Sequence, residues 1–331
     1  MGAFKKKNVF GEISEALKNC DVKFNGTIAV YSQEYLELEF YKGALEKPSL
    51  SNLYLIGSIS KQITAAVVLK ILTENKISTE ELIINYLPPS QAKFVNKVKF
   101  KHLFNHTAGI LDLNVPLKSE PGEVFCYSPT LGYNLLTKIV EKISGQSFTS
   151  LLQSFLATHK MLNTGLPPTR YISEIQKNLK NFVLGFKETK NGEMERVLKF
   201  ADSFTDSDLS WQSGGGYYSS AQDLARWNYL LHNNYILEKN SYDEFIKTST
   251  QRNIVQRGIL GYGYGIQILH DKCYLEYSHS GYLNGYTSSL FYYPLLQISL
   301  IILENVNWHF PKHMSPFCNH LKIRDILVNN F

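Results

Sequence analysis

The hydrophobic pattern along this chain switches between helical and strand spacing several times. Residues 12–18 have the spacing of a short helix. After the turn signal Asn25-Gly26, residues 27–31 and 36–41 are rich in β-branched and aromatic side chains, as strands are. A short apolar run, Leu53-Tyr54-Leu55-Ile56, leads through Gly57 into a helical pattern. That pattern runs from Ser58 to about Glu74, with Ile63, Ala66, Val67 and Ile71 on one stripe. Residues 78–121 read as helix and loop: Thr79-Glu80-Glu81 predicts a helix start, Pro88-Pro89 its end, and 100–105 a short amphipathic piece. Residues 131–144, stopped by Gly145, and 148–159 predict two further helices. Asn191-Gly192 lies between polar runs and predicts a surface hairpin. Ser213-Gly214-Gly215-Gly216 reads as a flexible turn, followed by a helix striped by Leu224, Trp227, Leu230 and Leu231. Strands are expected at 263–269, 274–278, 286–293 and 298–303, and a closing helix at 315–328.

Strands thus cluster at both ends and helices fill the middle. The economical architecture is of the α/β class (α+β type): one antiparallel sheet built from N- and C-terminal strands, flanked by helices, with an inserted, mostly helical lobe. The expected division is 1–75 with 205–331 as the sheet domain and 76–204 as the lobe, with a ligand cleft between them. A chain of 331 residues, 44% hydrophobic, can bury a core of that size. The formal charge of +5 is spread along the sequence, and Lys5-Lys6-Lys7 is the one basic run, which argues against a nucleic-acid surface. Residues 286–303 carry no charge, but Pro294 and several hydroxyl residues make them two strands and a turn rather than a membrane span. Met1 to Cys20 contains no apolar h-region, so no signal peptide is read. Cys20, Cys126, Cys273 and Cys318 are far apart and suggest neither a zinc site nor a disulfide framework. His309 and His313 have metal-like spacing, but Pro311 separates them and no acidic partner is near. Gly261-Tyr262-Gly263-Tyr264-Gly265 has the wrong spacing for a dinucleotide loop, and no helix is expected after it. No cofactor and no metal are expected.

The chemistry begins at Ser58. If a helix starts there, Ser58 and Lys61 share a face one turn apart. A serine hydroxyl needs a base within hydrogen-bond reach to become a nucleophile. An amine about 3 Å away in a dry pocket becomes that base once desolvation lowers its pKa. Taken alone, the pair is equally consistent with a helix-capping serine beside a solvated lysine. Ser90-Gln91-Ala92-Lys93 repeats the spacing after Pro88-Pro89, but it opens no apolar helix and reads as a loop coincidence.

Other stretches join the first in order. They are Leu103-Phe104-Asn105-His106-Thr107-Ala108-Gly109, Tyr127-Ser128-Pro129, the run from Gly215 to Ala225, and His279-Ser280-Gly281. With Gly57-Ser58-Ile59-Ser60-Lys61 the chain resembles the serine β-lactamase and penicillin-binding protein superfamily, in its class C β-lactamase and D-alanyl-D-alanine carboxypeptidase branch. The resemblance covers about 27–303. It implies a covalent acyl-enzyme on Ser58, with Lys61 and Tyr127 sharing the proton traffic. It also implies an oxyanion site formed by the backbone N–H groups of Ser58 and Tyr282, and a strand edge at His279-Ser280-Gly281 for an extended substrate. The substrate would be a small molecule or peptide: a β-lactam, a D-amino-acid peptide or an ester. The alternative is a scaffold or penicillin-binding sensor that keeps the fold without turnover. The resemblance further implies an exported or periplasmic protein if a signal has been removed, and a cytoplasmic one otherwise.

Two positions depart from the family. Pro129 stands where an asparagine usually holds the substrate's amide, and it offers no side-chain hydrogen bond. His279 replaces a lysine common in the third motif, so carboxylate binding is expected to weaken as pH rises through the histidine's pKa. His106 is read as structural, and Glu80-Glu81 as a helix-start charge effect.

Overall fold

The computed structural model describes residues 6–18, 23–43, 48–201, 209–254, 256–309 and 315–331. Lys5 of the basic run, Cys20, the expected boundary at 204/205, Pro311 and His313 lie outside these residues. An eight-stranded antiparallel sheet organises the chain. Its strands are β1 (Gly26–Ser32), β2 (Tyr35–Lys42), β3 (Thr250–Ile254), β4 (Gly258–Tyr262), β5 (Gln267–His270), β6 (Leu275–Leu283), β7 (Tyr286–Tyr293) and β8 (Ile298–Glu304). They lie in the order β2-β1-β8-β7-β6-β5-β4-β3. The N-terminal hairpin therefore joins the C-terminal strands along β1 and β8, with Gly26 opposite Glu304 and Ser32 opposite Ile298.

Strand alternation decides what each face covers. Ile28, Val30, Leu300 and Ile302 pack against Val9, Ile13 and Leu17 of the Lys6–Lys18 helix and Ile323 and Leu327 of the Cys318–Val328 helix. Their neighbours Ala29, Tyr31, Ile301 and Leu303 face the opposite way, into the main core with Ile63, Ala66 and Trp227. β7 and β8 are buried at every position because both faces are covered, which accounts for the uncharged run at 286–303. Among the described residues, no helix is long and apolar enough to cross a membrane.

The helix after the key serine runs Ser60–Glu74 and is buried nearly all round, beyond the one stripe expected. Its interior polar groups are paired: Trp227 Nε1 donates to Gln62 Oε1 at 3.0 Å, and Thr64 Oγ1 donates to the Ser213 carbonyl at 2.7 Å. The helices at Leu131–Ser144, Phe148–Thr158 and Ala221–His232 form as expected, the last capped by Ser220 Oγ accepting from Asp223 N. The Asn191-Gly192 hairpin is also present, between Phe186–Glu188 and Met194–Arg196.

Elsewhere tertiary pairing overrode local signals. The helix expected at Thr79-Glu80-Glu81 does not form. The Thr79 and Glu81 carbonyls, which would accept helical bonds, accept instead from Lys101 N and Phe100 N at 3.0 and 3.2 Å. Only one short turn of 3₁₀ helix, Ile83–Tyr86, remains before Pro88. Gly26 is not a turn residue but the first residue of β1, where the strand approaches Leu303 too closely for any Cβ. The strand expected from 263 begins at Gln267, and β3 and β4 lie outside the expected strands altogether. Gln251-Arg252-Asn253 in β3 carries no hydrophobic alternation, as an edge strand's residues need not.

Candidate active site

Ile56 brings the chain into the site, its N–H bonded to the Tyr217 carbonyl at 2.9 Å and its carbonyl accepting from Ser288 Oγ at 2.8 Å. Gly57 then adopts φ +52°, and a Cβ there would stand 2.7 Å from Tyr282 N and 2.8 Å from Gly281 Cα. Only glycine allows this backbone to press against β6 in that conformation. A single 3₁₀ turn, Gly57–Ile59, carries Ser58 into the helix that holds Lys61.

Three side chains from distant parts of the sequence meet at Ser58. Lys61 Nζ donates to Ser58 Oγ at 3.1 Å, and Tyr127 OH donates to the same oxygen at 2.7 Å. Lys61 is fully buried, and its amine also donates to the carbonyls of Pro129, at 2.8 Å, and Gly214. An ammonium has three protons and no lone pair. The two carbonyls can only accept, so they hold two N–H bonds in every protonation state. The third position, facing Ser58, is a proton when the amine is charged and a lone pair when it is neutral. Burial lowers the Lys61 pKa, opposed by the attraction of Tyr127. Tyr127 moves the same way: burial raises its pKa, but the charge of Lys61 and the hydrogen bond with Ser58 outweigh it, and the phenol lies below its ordinary value.

The glycine run at 214–216 is not the flexible turn expected. Thr64 Oγ1 holds the Ser213 carbonyl, Ser60 Oγ accepts from Tyr217 N at 3.2 Å, and the segment is pinned to the helix that carries Lys61. A Cβ on Gly214 would fall 2.6 Å from the Pro129 carbonyl, so a side chain there would prise apart Lys61's two acceptors.

The third motif supplies an edge. β5 pairs with β6 only as far as Ser278, whereas β7 pairs through Leu283. From His279 to Leu283, among the described residues, β6 therefore has an open edge beside Ser58, with the Tyr282 side chain 52% exposed. His279 itself does not face a ligand. It is 1% exposed, its Nδ1 donates to the Ser280 carbonyl at 2.8 Å, and its Nε2 accepts from Tyr262 OH at 3.0 Å. Burial, aided by the nearby charges of Lys61 and Arg252, pushes its pKa down to about 3. The pH-gated carboxylate contact expected of His279 does not follow from this arrangement, because the ring is neutral and both nitrogens are engaged.

Two further residues come to the site: His106, from a stretch the sequence displays and in the structural role expected of it, and Arg252, without a signal in the sequence. His106, at φ +60°, brackets Tyr127: its carbonyl accepts from Cys126 N at 2.7 Å and its Nδ1 from Ser128 N at 3.3 Å. The two rings are 4.5 Å apart. Arg252 of β3 lies with its guanidinium 4.7 Å over the Tyr127 ring. The carbonyls that hold Lys61 carry no sequence signal at all, since every residue has one. The pair read as coincidental lies elsewhere: Ser90, within the four-residue helix Pro89–Ala92, and Lys93, at its end, are both exposed. Glu80, read with Glu81 as a helix-start charge, is instead bound to Lys99 and Lys101, which hold its carboxyl at about 2.

The fold is that of the serine β-lactamases and penicillin-binding proteins. The Beta-lactamase family model matches residues 42–311, and the chain belongs to that family. It is 25% identical to penicillin-binding protein 4* of Bacillus subtilis, covering 86% of this chain and 68% of that protein. Protein flp of Staphylococcus aureus is 22% identical, over 79% of this chain and 54% of its own length. Among solved structures, the octameric penicillin-binding protein homologue of Pyrococcus abyssi aligns at a TM-score of 0.78 with 23% identity, covering 99% of this chain and 78% of that one. D-alanine carboxypeptidase AmpC of Burkholderia cenocepacia aligns at 0.75 with 17% identity, covering 98% and 99%.

Proposed function

We propose that this protein is a serine hydrolase that forms a covalent acyl-enzyme on Ser58, with an ester or thioester as the best-fitting acyl donor. The observation that carries the reading is the double approach to Ser58 Oγ, by Tyr127 OH at 2.7 Å and Lys61 Nζ at 3.1 Å. Ser58 Oγ attacks the substrate carbonyl and its proton leaves to neutral Lys61 or to the Tyr127 phenolate. The lowered pKa values of both groups support these roles. The developing oxyanion lies between the N–H groups of Ser58 and Tyr282, each contributing about 3 kcal/mol of barrier stabilisation. The proton then passes to the leaving group, and water hydrolyses the acyl-enzyme through the same pair.

Pro129 supports the choice of ester over peptide. It lends Lys61 a carbonyl but has no side-chain amide for a substrate's own amide. Fold neighbours include a hydrolase with promiscuous acyltransferase activity, EstCE1, and a D-stereospecific amidohydrolase from Streptomyces. The test compares a p-nitrophenyl ester, a chromogenic cephalosporin and a fluorescent penicillin on the wild type and Ser58→Ala. Ester turnover lost in Ser58→Ala is the expected result. A stable penicillin adduct without ester turnover would instead mark a peptidase or sensor, and silence with every probe a scaffold.

A further inference from the structure

A buried polar chain reaches the site from behind the sheet. Glu304 of β8, His320 of the Cys318–Val328 helix and Ser289 of β7 are all buried. His320 Nε2 lies 3.0 Å from Glu304 Oε1 and its Nδ1 2.8 Å from Ser289 Oγ. Ser289 Oγ in turn lies 3.2 Å from Ser280 Oγ on β6. Proton counting gives these bonds one direction. Glu304 Oε2 accepts from Asn25 N and Trp308 Nε1, groups that only donate, so the carboxylate is the fixed acceptor at this end. His320 Nε2–H donates to Oε1, which leaves the lone pair of the neutral ring at Nδ1. Ser289 has one proton and gives it to Nδ1. Ser280 must then donate to Ser289, and its Oγ keeps only lone pairs for a group that approaches it.

We propose that Ser280 is a specificity-determining residue that accepts a hydrogen bond from an N–H or O–H group on the leaving-group side of the acyl donor. Ser289, His320 and Glu304 are the positioning residues that set its sense. Ser280 is half-buried and lies in the stretch of β6 whose edge is open. Gly281 presses on the Ile56 carbonyl, so by strand alternation Ser280 faces the other side of the sheet. A substrate lying along the edge sets every second group on that side, about 5 Å from its cross-strand neighbour. Position along the edge decides which part of the substrate this is. The turn that carries Ser58 presses on Gly281 and Tyr282, whereas Tyr127, through the rings of His106 and Tyr262, borders His279. Ser280 thus lies from Ser58 toward Tyr127. Under the acyl-enzyme reading, on which this inference rests, Tyr127 passes the proton to the departing group.

The test uses two thioesters of N-benzoylglycine, with meta-hydroxyphenyl and meta-methoxyphenyl thiols as leaving groups, followed at pH 8 with a thiol reagent. The two thiols are of nearly equal acidity, but only the first carries a donor. The wild type is expected to favour the hydroxyl ester about 10-fold in kcat/KM, and Ser280→Ala to lose the preference. Glu304→Gln is the decisive variant. Asn25 N and Trp308 Nε1 keep the amide oxygen at the Oε2 position, so the amide NH₂ faces His320 Nε2. Every bond in the chain then reverses, Ser280 donates outward, and the preference passes to the methoxy ester. In Ser289→Ala, which keeps the test open should Glu304→Gln not fold, the Ser280 hydroxyl turns freely and the preference disappears. Equal rates for the two esters in the wild type overturn the proposal. So does a ratio unchanged in Glu304→Gln or Ser289→Ala, since equal losses on both esters mean that the chain serves only the fold of β6. A failure of the acyl-enzyme reading looks different: Ser58→Ala would keep its turnover while the preference stood.

Discussion

Replacing Lys61 by methionine should separate what the amine does for catalysis from what it costs the fold. The side chain is fully buried, and among the described residues its amine has no carboxylate partner; it bonds Ser58 Oγ and the carbonyls of Pro129 and Gly214. Removing a general base costs about 10²–10⁴ in rate, so ester turnover in Lys61→Met should fall about 1,000-fold. Stability should respond differently. The folded pKa of Lys61 is lowered by burial, while the unfolded chain keeps the ordinary value of 10.5. Between those two values the unfolded state binds more protons, so wild-type stability rises with pH across that window. The largest slope one proton can give is about 1.4 kcal/mol per pH unit. Lys61→Met removes this contribution and leaves two carbonyls without a donor, at about 1–3 kcal/mol each. Urea titrations from pH 6 to 10 should therefore show a flatter stability–pH curve in the variant. A Lys61→Met slope equal to the wild type's would refute the depressed lysine, and turnover above a tenth of wild type would refute its role as base.

Other outcomes follow from the same geometry. Tyr127→Phe keeps the ring but loses the hydroxyl 2.7 Å from Ser58, and kcat should fall about 100-fold or more with KM little changed; a change confined to KM would place Tyr127 in binding. His279, held at about 3, stays neutral across pH 5–8, so KM for a carboxylate substrate should not follow a titration near 6.5. Because its folded pKa lies below the unfolded one, it contributes stability that is present above pH 6.5 and lost as pH falls toward 3. His279→Asn should therefore flatten the acid limb of a denaturation series, and an unchanged limb counts against its burial as a neutral ring. His106→Asn should retain kcat better than His106→Leu, since asparagine tolerates φ +60° and keeps an acceptor for Ser128 N; equal losses would leave the ring alone, not the acceptor, as what holds Tyr127.

Much of the architecture was legible because period and burial agree. The Leu131–Ser144 helix, β7 and the hairpin at Asn191-Gly192 follow from patterns that tertiary contacts reinforce. Where the reading failed, a long-range partner had captured the backbone. Thr79 and Glu81 have the composition of a helix start, but Phe100 and Lys101 take their carbonyls. The site divides in the same way. Ser58, Lys61 and Tyr127 stand in motifs that the sequence displays, and the structure brings their polar atoms together. Their electrostatic setting is not displayed. It depends on the Pro129 and Gly214 carbonyls that clasp Lys61, on the burial and the charges of Lys61 and Arg252 that keep His279 neutral, and on the course of Arg252 from an edge strand with no hydrophobic period. Residue types name the reacting groups, but the charge each carries is set by burial and by partners remote in the chain. For this protein the motif histidine is buried and neutral, and an arginine outside every motif lies over the Tyr127 ring.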